Sequence, residues 1–402
     1  MDQKIKHAGY RSYQGMMRVA SGFVDWSQPD VLRGAGCVKK LAVLLMSRGV
    51  SNALVVTDKG LVDFHLIDGL LEELRKEKIK YTLYDGVQPN PTVENVEEAR
   101  QLFLDAECDA IVAFGGGSPM DCAKAAGARI SNPNTPVQKL RGQLKVYKRP
   151  PLLFAVPTTA GSGSEATVSA VVLDEAAHEK YAINDPKLRP KYVVLDPELT
   201  VGLPPHITAI TGMDALTHAV ESYIGRSNTK QTRGNAEKAV KLIFENLEKA
   251  YQSGENMEAR ENMLIAAYHA GLAFTRAYVG YVHAIAHAIG GLYGTPHGLA
   301  TAVILPYVLD YYGESVAADL DDLAELVGID RESNGESPHA FITAIREMSA
   351  RMDIPETFDV IKDEDVALIV SRALEEANPL YPVPKIMDAA DCETIIRQIM
   401  GN

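Results

Sequence analysis

Apolar residues follow different patterns in the two halves of the chain. In the first half, short runs of consecutive apolar residues alternate with stretches in which apolar residues recur every three or four positions. The short runs predict strands buried on both faces, and the wider spacing predicts amphipathic helices near 61–78 and 93–107. The predicted strands are Ala53–Thr57, Tyr81–Tyr84, Ala110–Phe114, Leu152–Val156, Val168–Leu173 and Tyr192–Leu195. Strand and helix in alternation indicate a parallel sheet with helices on its faces.

The pattern changes near Leu203-Pro204-Pro205, after which long Ala- and Leu-rich helical patterns dominate. We therefore predict two domains, an α/β domain over 1–205 and an all-helical domain over 206–402. The predicted helices of the second domain are 206–225, 230–252, 256–290, 298–312, 316–328, 336–352, 364–376 and 389–399.

Composition excludes several classes of protein. Of 402 residues, 46% are hydrophobic and 23% charged, which is typical of a globular protein. The net charge of −13 disfavours a nucleic-acid partner. Four scattered cysteines without a CxxC pair indicate no disulfide framework, and no apolar run approaches the ~20 residues of a membrane span. The N-terminus lacks the apolar core of a signal peptide, so we expect a cytoplasmic protein that does not enter a membrane.

Two loops rich in small residues follow apolar strands. Gly115-Gly116-Gly117-Ser118 comes directly after a predicted strand, and the segment 158–164 (TTAGSGS) follows another. Glycines at a helix start allow phosphate to approach backbone N–H groups, so both loops are candidate phosphate sites. The GxGxxG fingerprint is not met because position 120 is Met, and a tight strand-to-helix turn is the alternative. Asp58 ends a strand and is either a ribose acceptor, which would favour NAD over NADP, or a helix N-cap.

The helical half contains a cluster of histidines and a carboxylate. Asp214 and His218 are four residues apart on a predicted helix, so they share a face, and His283 and His287 repeat that spacing. His297 lies near a new helix start. Three imidazoles and one carboxylate suit a divalent transition metal such as Zn²⁺ or Fe²⁺, although an isolated helical histidine usually has a structural role. His206 and His269 lack this context and are interpreted as structural.

A nucleotide-binding domain followed by a metal-binding domain predicts chemistry in a cleft between them. A metal there would polarise an alcohol or carbonyl oxygen and prepare a carbon for hydride exchange with a nicotinamide. The remaining histidine would pass the proton to solvent.

These motifs resemble the iron-containing (group III) alcohol dehydrogenase family over nearly the whole chain. The matching segments are Gly115–Lys124, Pro157–Glu165, Asp196–Pro204, Gly212–Ala219 and His283–Gly298. The resemblance implies the two-domain fold that this family shares with dehydroquinate synthase, and an enzyme that interconverts a small primary alcohol or diol and its aldehyde. It implies NAD in preference to NADP, Fe²⁺ with Zn²⁺ as the alternative, and a homodimer or larger homo-oligomer.

The resemblance also implies roles for individual residues. His287 matches an active-site histidine that is not a ligand, and acts as the proton relay. The implied metal ligands are Asp214, His218, His283 and His297. The implied cofactor contacts are Asp58, Asn90, Thr92, Gly115, Gly116, Gly117, Ser118, Asp121, Thr158, Thr159, Ser162 and Lys180.

The sequence departs from the family pattern at several positions. Ala288 and Thr301 differ from the usual residues, and we expect neither to touch a metal ligand. Arg276 and Tyr278 stand where many relatives carry Asn and Gly, and Arg276 lies seven residues before His283. We hypothesise that both narrow the substrate pocket and that Arg276 favours a carboxylate-bearing substrate; an Arg paired with an acid elsewhere is the alternative.

Two other functions, and one relative within the same class of dehydrogenases (glycerol dehydrogenase), are alternatives to this interpretation. A dehydroquinate-synthase-like lyase is disfavoured because a polyanionic substrate needs more Lys and Arg near the metal motifs than the chain has. A glycerol dehydrogenase matches the motifs less well. A catalytically silent binding protein would not need an intact ligand set and His287.

Overall fold

The computed structural model describes residues 3–177, 179–329 and 339–401. They form two compact units, one comprising Trp26–Leu203 and Gly254–Tyr268, the other comprising Met1–Asp25, Pro204–Ser253 and His269–Asn402. We call them the α/β unit and the helical unit.

A six-stranded parallel sheet forms the centre of the α/β unit, as the apolar runs predict. Its strand order is β1-β9-β6-β4-β2-β3. Val55, Val112 and Phe154 in its central strands are fully buried, which explains why those strands read as continuous apolar runs. The strands of this sheet are β1 (Asp30–Arg33), β2 (Asn52–Val56), β3 (Lys80–Tyr84), β4 (Ala110–Gly115), β6 (Leu152–Pro157) and β9 (Tyr192–Leu195).

The order of the central strands creates a switch point in this sheet. From β2 the chain proceeds to β3 on one side and then crosses to β4 on the other. Open α/β sheets bind ligands beyond the carboxyl ends of their strands at such a point. Candidate residues Asp58, Gly115 and Thr158 come after or at the ends of β2, β4 and β6, which are adjacent.

A second, smaller sheet has the order β5-β8-β7. The predicted strand Val168–Leu173 forms here rather than in the main sheet, because β7 pairs antiparallel with β8. Its strands are β5 (Gly142–Gln143), β7 (Ser169–Asp174) and β8 (Glu179–Asn184). The helices within Trp26–Leu203 are α2 (Leu41–Ser47), α3 (Lys59–Asp63), α4 (Asp68–Lys76), α5 (Val93–Asp105), α6 (Gly117–Ser131) and α7 (Val137–Leu140).

The remaining helices, apart from the first half of α10, belong to the helical unit. They are α1 (Gln3–Ser21), α8 (Pro205–Ile224), α9 (Lys230–Gln252), α10 (Met257–Ala277), α11 (Tyr281–Tyr293), α12 (His297–Tyr312), α13 (Ala317–Leu326), α14 (His339–Arg351), α15 (Val366–Ala377) and α16 (Ala389–Ile399). The predicted helix 336–352 begins partly outside the described residues, since 336–338 are not among them.

The prediction of one helix over 256–290 is wrong. The chain breaks between α10 and α11, where Tyr278 adopts a left-handed conformation with φ of 68°. The break allows the backbone N–H of Gly280 to bond Glu221 on α8 instead of a carbonyl of its own helix.

The two units differ from the predicted domains 1–205 and 206–402 in two segments. Helix α1 groups with the helical unit because Arg11 and Gln14 donate hydrogen bonds to carbonyls between 379 and 384. The segment Gly254–Tyr268 groups with the α/β unit, where Arg260 donates to the carbonyl of Leu203. Both contacts join distant parts of the chain, so local patterns could not predict them.

Candidate active site

Four side chains of the helical unit present ligand atoms to one another. Asp214 and His218 come from successive turns of α8, His283 from the first turn of α11, and His297 from the first residue of α12. One potential ligand atom from each lies within 4.8 Å of those of the other three. Asp214, His218 and His283 are buried, and His297 is partly exposed. The structure therefore brings together the four residues that the sequence analysis selected as metal ligands.

His283 has an unsatisfied ring nitrogen among these four residues. Its Nδ1 lies 2.6 Å from Oε2 of Glu221, and a carboxylate only accepts, so Nδ1 carries the proton. Nε2 is buried without a hydrogen-bond partner. Burial lowers the pKa of His283 to about 3, which keeps the ring neutral and the lone pair of Nε2 free. A buried lone pair without a donor is costly, and a metal ion would satisfy it.

The other three residues of the cluster also suit a bound cation. Burial, followed by the neighbouring His283, lowers the pKa of His218 well below its usual value, so this ring is also neutral. Burial raises the pKa of Asp214 to about 7, against the hydrogen bond that Thr301 donates to its Oδ1 at 3.1 Å. The expectation that Thr301 touches no proposed ligand is therefore wrong, because α12 brings its hydroxyl to Asp214. That oxygen lies 3.5 Å from Nε2 of His297. A positive ion at this point would offset the cost of burying the carboxylate.

Glu221 is an important residue that the sequence analysis missed. Glu221 is 3% exposed, and its side chain accepts from the backbone N–H groups of Gly280 and Val282 as well as from His283. A Cβ at Gly280 would lie 2.7 Å from Oε1 of Glu221, so glycine is required for this approach. The only sequence signal was its position on α8, seven residues after Asp214 and thus two turns away on the same side.

His218 is packed by an aromatic ring. Phe274 stacks on it with 4.1 Å between ring centroids and 12° between ring planes. Such stacking restricts the imidazole to one orientation. Phe274 lies two residues before Arg276 on α10, and the sequence analysis did not single it out.

His287 lies beside the four residues without joining them. Its ring stacks on that of His297 with 5.1 Å between the ring centroids. Its Nδ1 lies 2.7 Å from Oε1 of Glu376 on α15. The side chain of His287 is 18% exposed. His269, interpreted as structural, bonds Asn235 at 3.0 Å, and burial lowers its pKa to about 4.

The glycine-rich loop of the α/β unit has the geometry of a close approach. Gly115 has φ of 149°, and a Cβ there would lie 2.6 Å from Cγ of Pro119. A Cβ at Gly116 or Gly117 would meet the side chain of Thr159 or Ser162 at 3.2 Å. The backbone N–H of Thr158 bonds the carbonyl of Gly115 at 3.0 Å. The two small-residue loops are therefore in contact, as their strands β4 and β6 are paired.

Several other predicted cofactor residues take part in two groups of hydrogen bonds that include residues of these loops. Ser118 accepts from the backbone N–H of Asn90, whose Oδ1 accepts from Nζ of Lys180 at 2.7 Å. Asp121 accepts from the hydroxyl of Ser164 at 2.7 Å. Lys124, which the sequence analysis did not assign, is 1% exposed and also donates to Ser164, at 2.8 Å.

Two predicted cofactor residues have clear local roles. Asp58 is the N-cap of α3 and accepts from the backbone N–H of Leu61 at 3.1 Å, which confirms the N-cap alternative. Burial raises its pKa, against that hydrogen bond. Thr92 is the N-cap of α5 and forms a capping box with Asn95. Their cofactor roles stay predictions, as does the hypothesis on Arg276 and Tyr278.

Among the described residues, no helix combines the length and apolar character that a membrane span requires.

Comparison with known proteins identifies the family. Residues 28–197 match the family model "Iron-containing alcohol dehydrogenase", and residues 208–400 match "Fe-containing alcohol dehydrogenase family, C-terminal". The chain is 38% identical over 358 residues to "Alcohol dehydrogenase 4" of Schizosaccharomyces pombe, covering 87% of this chain and 84% of that protein. It is 34% identical over 376 residues to "NAD-dependent methanol dehydrogenase" of Bacillus methanolicus, covering 92% and 98%.

A comparison of folds also identifies a similar oxidoreductase among solved structures. The fold is similar to that of a crystal structure of 1,3-propanediol oxidoreductase, with a TM-score of 0.89, 36% identity, and coverage of 94% of this chain and 99% of that chain. The predicted two-part fold and the family resemblance are therefore confirmed. The chain is an oxidoreductase that belongs to the iron-containing alcohol dehydrogenase family.

Proposed function

We propose that this protein is a metal-dependent, NAD(H)-linked enzyme that interconverts a small primary alcohol or diol and its aldehyde. One observation carries the proposal: a cluster of three histidines and one aspartate, three of them buried, in which Nε2 of His283 has no hydrogen-bond partner. The names of relatives that act on methanol and 1,3-propanediol support a small substrate.

Asp214, His218, His283 and His297 are the proposed metal ligands. A bound divalent cation supplies Lewis acidity that polarises the substrate oxygen and lowers the pKa of the alcohol. Two of the imidazoles are kept neutral by burial, and the hydrogen bond from His283 to Glu221 fixes which ring nitrogen is available. These donors suit Fe²⁺, the metal after which the family is named, and Zn²⁺ is the alternative.

His287 is the proposed proton relay. It stands next to His297 but has its Nδ1 engaged by Glu376, so its Nε2 is the atom that exchanges a proton with the substrate hydroxyl and with solvent. Because it is not a proposed ligand, its removal should leave metal binding intact.

The cofactor proposed is NAD(H). The contacting loops that contain Gly115 and Thr158 would admit its diphosphate, and Asn90 and Lys180 take part in one of the two groups of hydrogen bonds beside them. The carboxylate of Asp58 would accept a hydrogen bond from the ribose 2′-hydroxyl, and its negative charge would repel the additional phosphate of NADP. A relative named NAD-dependent supports this preference.

Anaerobic reconstitution tests the proposal. Metal-free protein is loaded with Fe²⁺ or Zn²⁺ and assayed with small primary alcohols, diols and aldehydes, using both NAD(H) and NADP(H). We expect NAD-linked turnover only with metal present, and loss of both metal and activity in Asp214→Ala and His283→Ala. His206→Ala, which changes an exposed histidine on the same helix as Asp214, is the control and should behave as wild type. Full turnover by metal-free protein would contradict the proposal.

A further inference from the structure

One carboxylate oxygen joins His287 to a buried tyrosine. Oε1 of Glu376 lies 2.7 Å from Nδ1 of His287 and accepts a hydrogen bond of 2.7 Å from the hydroxyl of Tyr381. We infer that Glu376, held by Tyr381, is a positioning residue that fixes the orientation and tautomer of His287 for the reaction. This inference rests on the proposed function, in which His287 relays a proton.

The contact determines which nitrogen of His287 is available. A carboxylate only accepts, so Nδ1 is the nitrogen that carries a proton in the contact with Glu376, and Nε2 is the nitrogen that does not face Glu376. The ring is also stacked on His297, with 20° between the planes. The hydrogen bond to Glu376 and the stacking together leave the imidazole with one orientation, in which Nε2 is the atom free to exchange a proton.

Tyr381 restrains the carboxylate itself. Tyr381 is 8% exposed, and burial together with the nearby Glu376 raises its pKa well above the usual value, so the hydroxyl stays protonated and donates. Both donors act on the same oxygen of Glu376. Glu376 therefore cannot turn this oxygen away from His287 without breaking the hydrogen bond with the tyrosine.

The backbone around Tyr381 is fixed by residues distant in sequence. The carbonyl of Tyr381 accepts from Nε2 of Gln14 at 2.8 Å, and the carbonyl of Pro382 accepts from the N–H of Arg226 at 2.7 Å. The side-chain carbonyl of Asn378 accepts from the hydroxyl of Tyr281 at 3.1 Å. The segment that carries Tyr381 is thus anchored from α1, from the connection after α8 and from α11. Such anchoring distinguishes Glu376 from a mobile surface acid whose ion pair would contribute little.

A double-mutant cycle separates positioning from a merely structural role. The variants are Glu376→Ala, His287→Ala and both together, each loaded with metal, and the control is Glu375→Ala, the exposed neighbour on α15. We expect Glu376→Ala to lower kcat at least about 10-fold, with the KM for NAD and the metal content unchanged. In the His287→Ala background the second substitution should cost nothing more, because Glu376 acts through the imidazole.

A conservative variant and a spectroscopic readout complete the test. Glu376→Gln keeps an acceptor oxygen and the side-chain shape, so it should recover part of the rate lost in Glu376→Ala. In metal-free protein labelled with ¹⁵N-histidine, the His287 signals, assigned by difference from His287→Ala, should show a protonated Nδ1 in wild type and a changed tautomer balance in Glu376→Ala.

Distinct results would overturn the inference and the proposed function. If loaded wild-type protein turned over no alcohol, the proposed function would fail and this inference with it. Only the inference would fail if wild type were active and Glu376→Ala kept the full rate. The same holds if Glu376→Ala lowered the rate by the same factor in the His287→Ala background as in wild type.

Discussion

Glu221 illustrates how one buried residue can control a metal site that it does not enter. It accepts from two backbone N–H groups at the start of α11 and from Nδ1 of His283 on the same helix. It thereby fixes both the position of the helix start and the direction of the ring. Outer hydrogen-bond partners of this kind contribute substantially to metal affinity.

Glu221→Gln should weaken metal binding although none of the four proposed ligand residues is substituted. The amide replaces one accepting oxygen with a donor that faces an N–H group, so the orientation of His283 is lost. We expect the affinity for Zn²⁺ to fall about 10- to 100-fold, measured by competition with a chromophoric chelator. Glu245→Gln, at an exposed position on α9, is the control. Equal affinities for wild type and Glu221→Gln would show that the hydrogen bond has no such effect.

Asp58 has two roles that one substitution can separate. Asp58→Asn keeps a side chain that caps α3 but removes the negative charge. We expect thermal stability close to that of wild type and a rise in kcat/KM with NADPH of about 10-fold, an effect of about 1.4 kcal/mol. An unchanged ratio of NADH to NADPH use would remove Asp58 from the proposed ribose site.

At the scale of elements, helix α1 stabilises the helical unit, although its residues precede both segments that match the family models. The first family match begins at residue 28, yet Arg11 on α1 donates to the carbonyls of Val383 and Pro384, and Gln14 donates to those of Pro379 and Tyr381. Gln14 is 7% exposed, so its hydrogen bonds are sheltered from water.

Replacing Gln14 should therefore destabilise the helical unit. Gln14→Leu would leave two carbonyls without their donor, and we expect a loss of about 1–3 kcal/mol in the free energy of unfolding, measured by urea denaturation. Ser12→Ala, on the exposed side of the same helix, should change stability by less than about 0.5 kcal/mol. A Gln14→Leu protein as stable as Ser12→Ala would show that these bonds contribute nothing.

Elements with a strong local pattern could be predicted, and elements set by distant contacts could not. The runs 53–56 and 110–114 are apolar throughout, and both lie in central strands. The break at Tyr278 escaped prediction because a non-glycine residue adopts the left-handed conformation there and Glu221, more than fifty residues away, bonds the freed N–H of Gly280. Likewise the spacing of the histidines revealed the four clustered donors, whereas the partners Glu221 and Glu376 had no local motif to reveal them.

At the scale of the whole molecule, the two sets of candidate residues belong to different units. All proposed cofactor residues lie in the α/β unit, and all proposed metal ligands lie in the helical unit. Each unit forms its set from its own elements, so removal of one ligand should not abolish the binding of the other.

Binding measurements on single-site variants test this separation. Asp214→Ala should lose metal but still bind NADH. Binding is measured from the change in NADH fluorescence on titration with protein. Gly115→Ala should lose NADH binding, because its Cβ would collide with Pro119, but should still bind one divalent ion. Loss of both ligands in either variant would contradict the separation.

The central claim is that three histidines and one aspartate hold a single metal ion. The most direct measurement is the anomalous diffraction of crystals loaded with Fe²⁺ or Zn²⁺ at the absorption edge of the metal. We predict one strong peak at about 2.0–2.2 Å from a carboxylate oxygen of Asp214 and from a ring nitrogen of each of His218, His283 and His297. A peak elsewhere, or no peak in crystals of protein that turns over alcohol, would contradict the account.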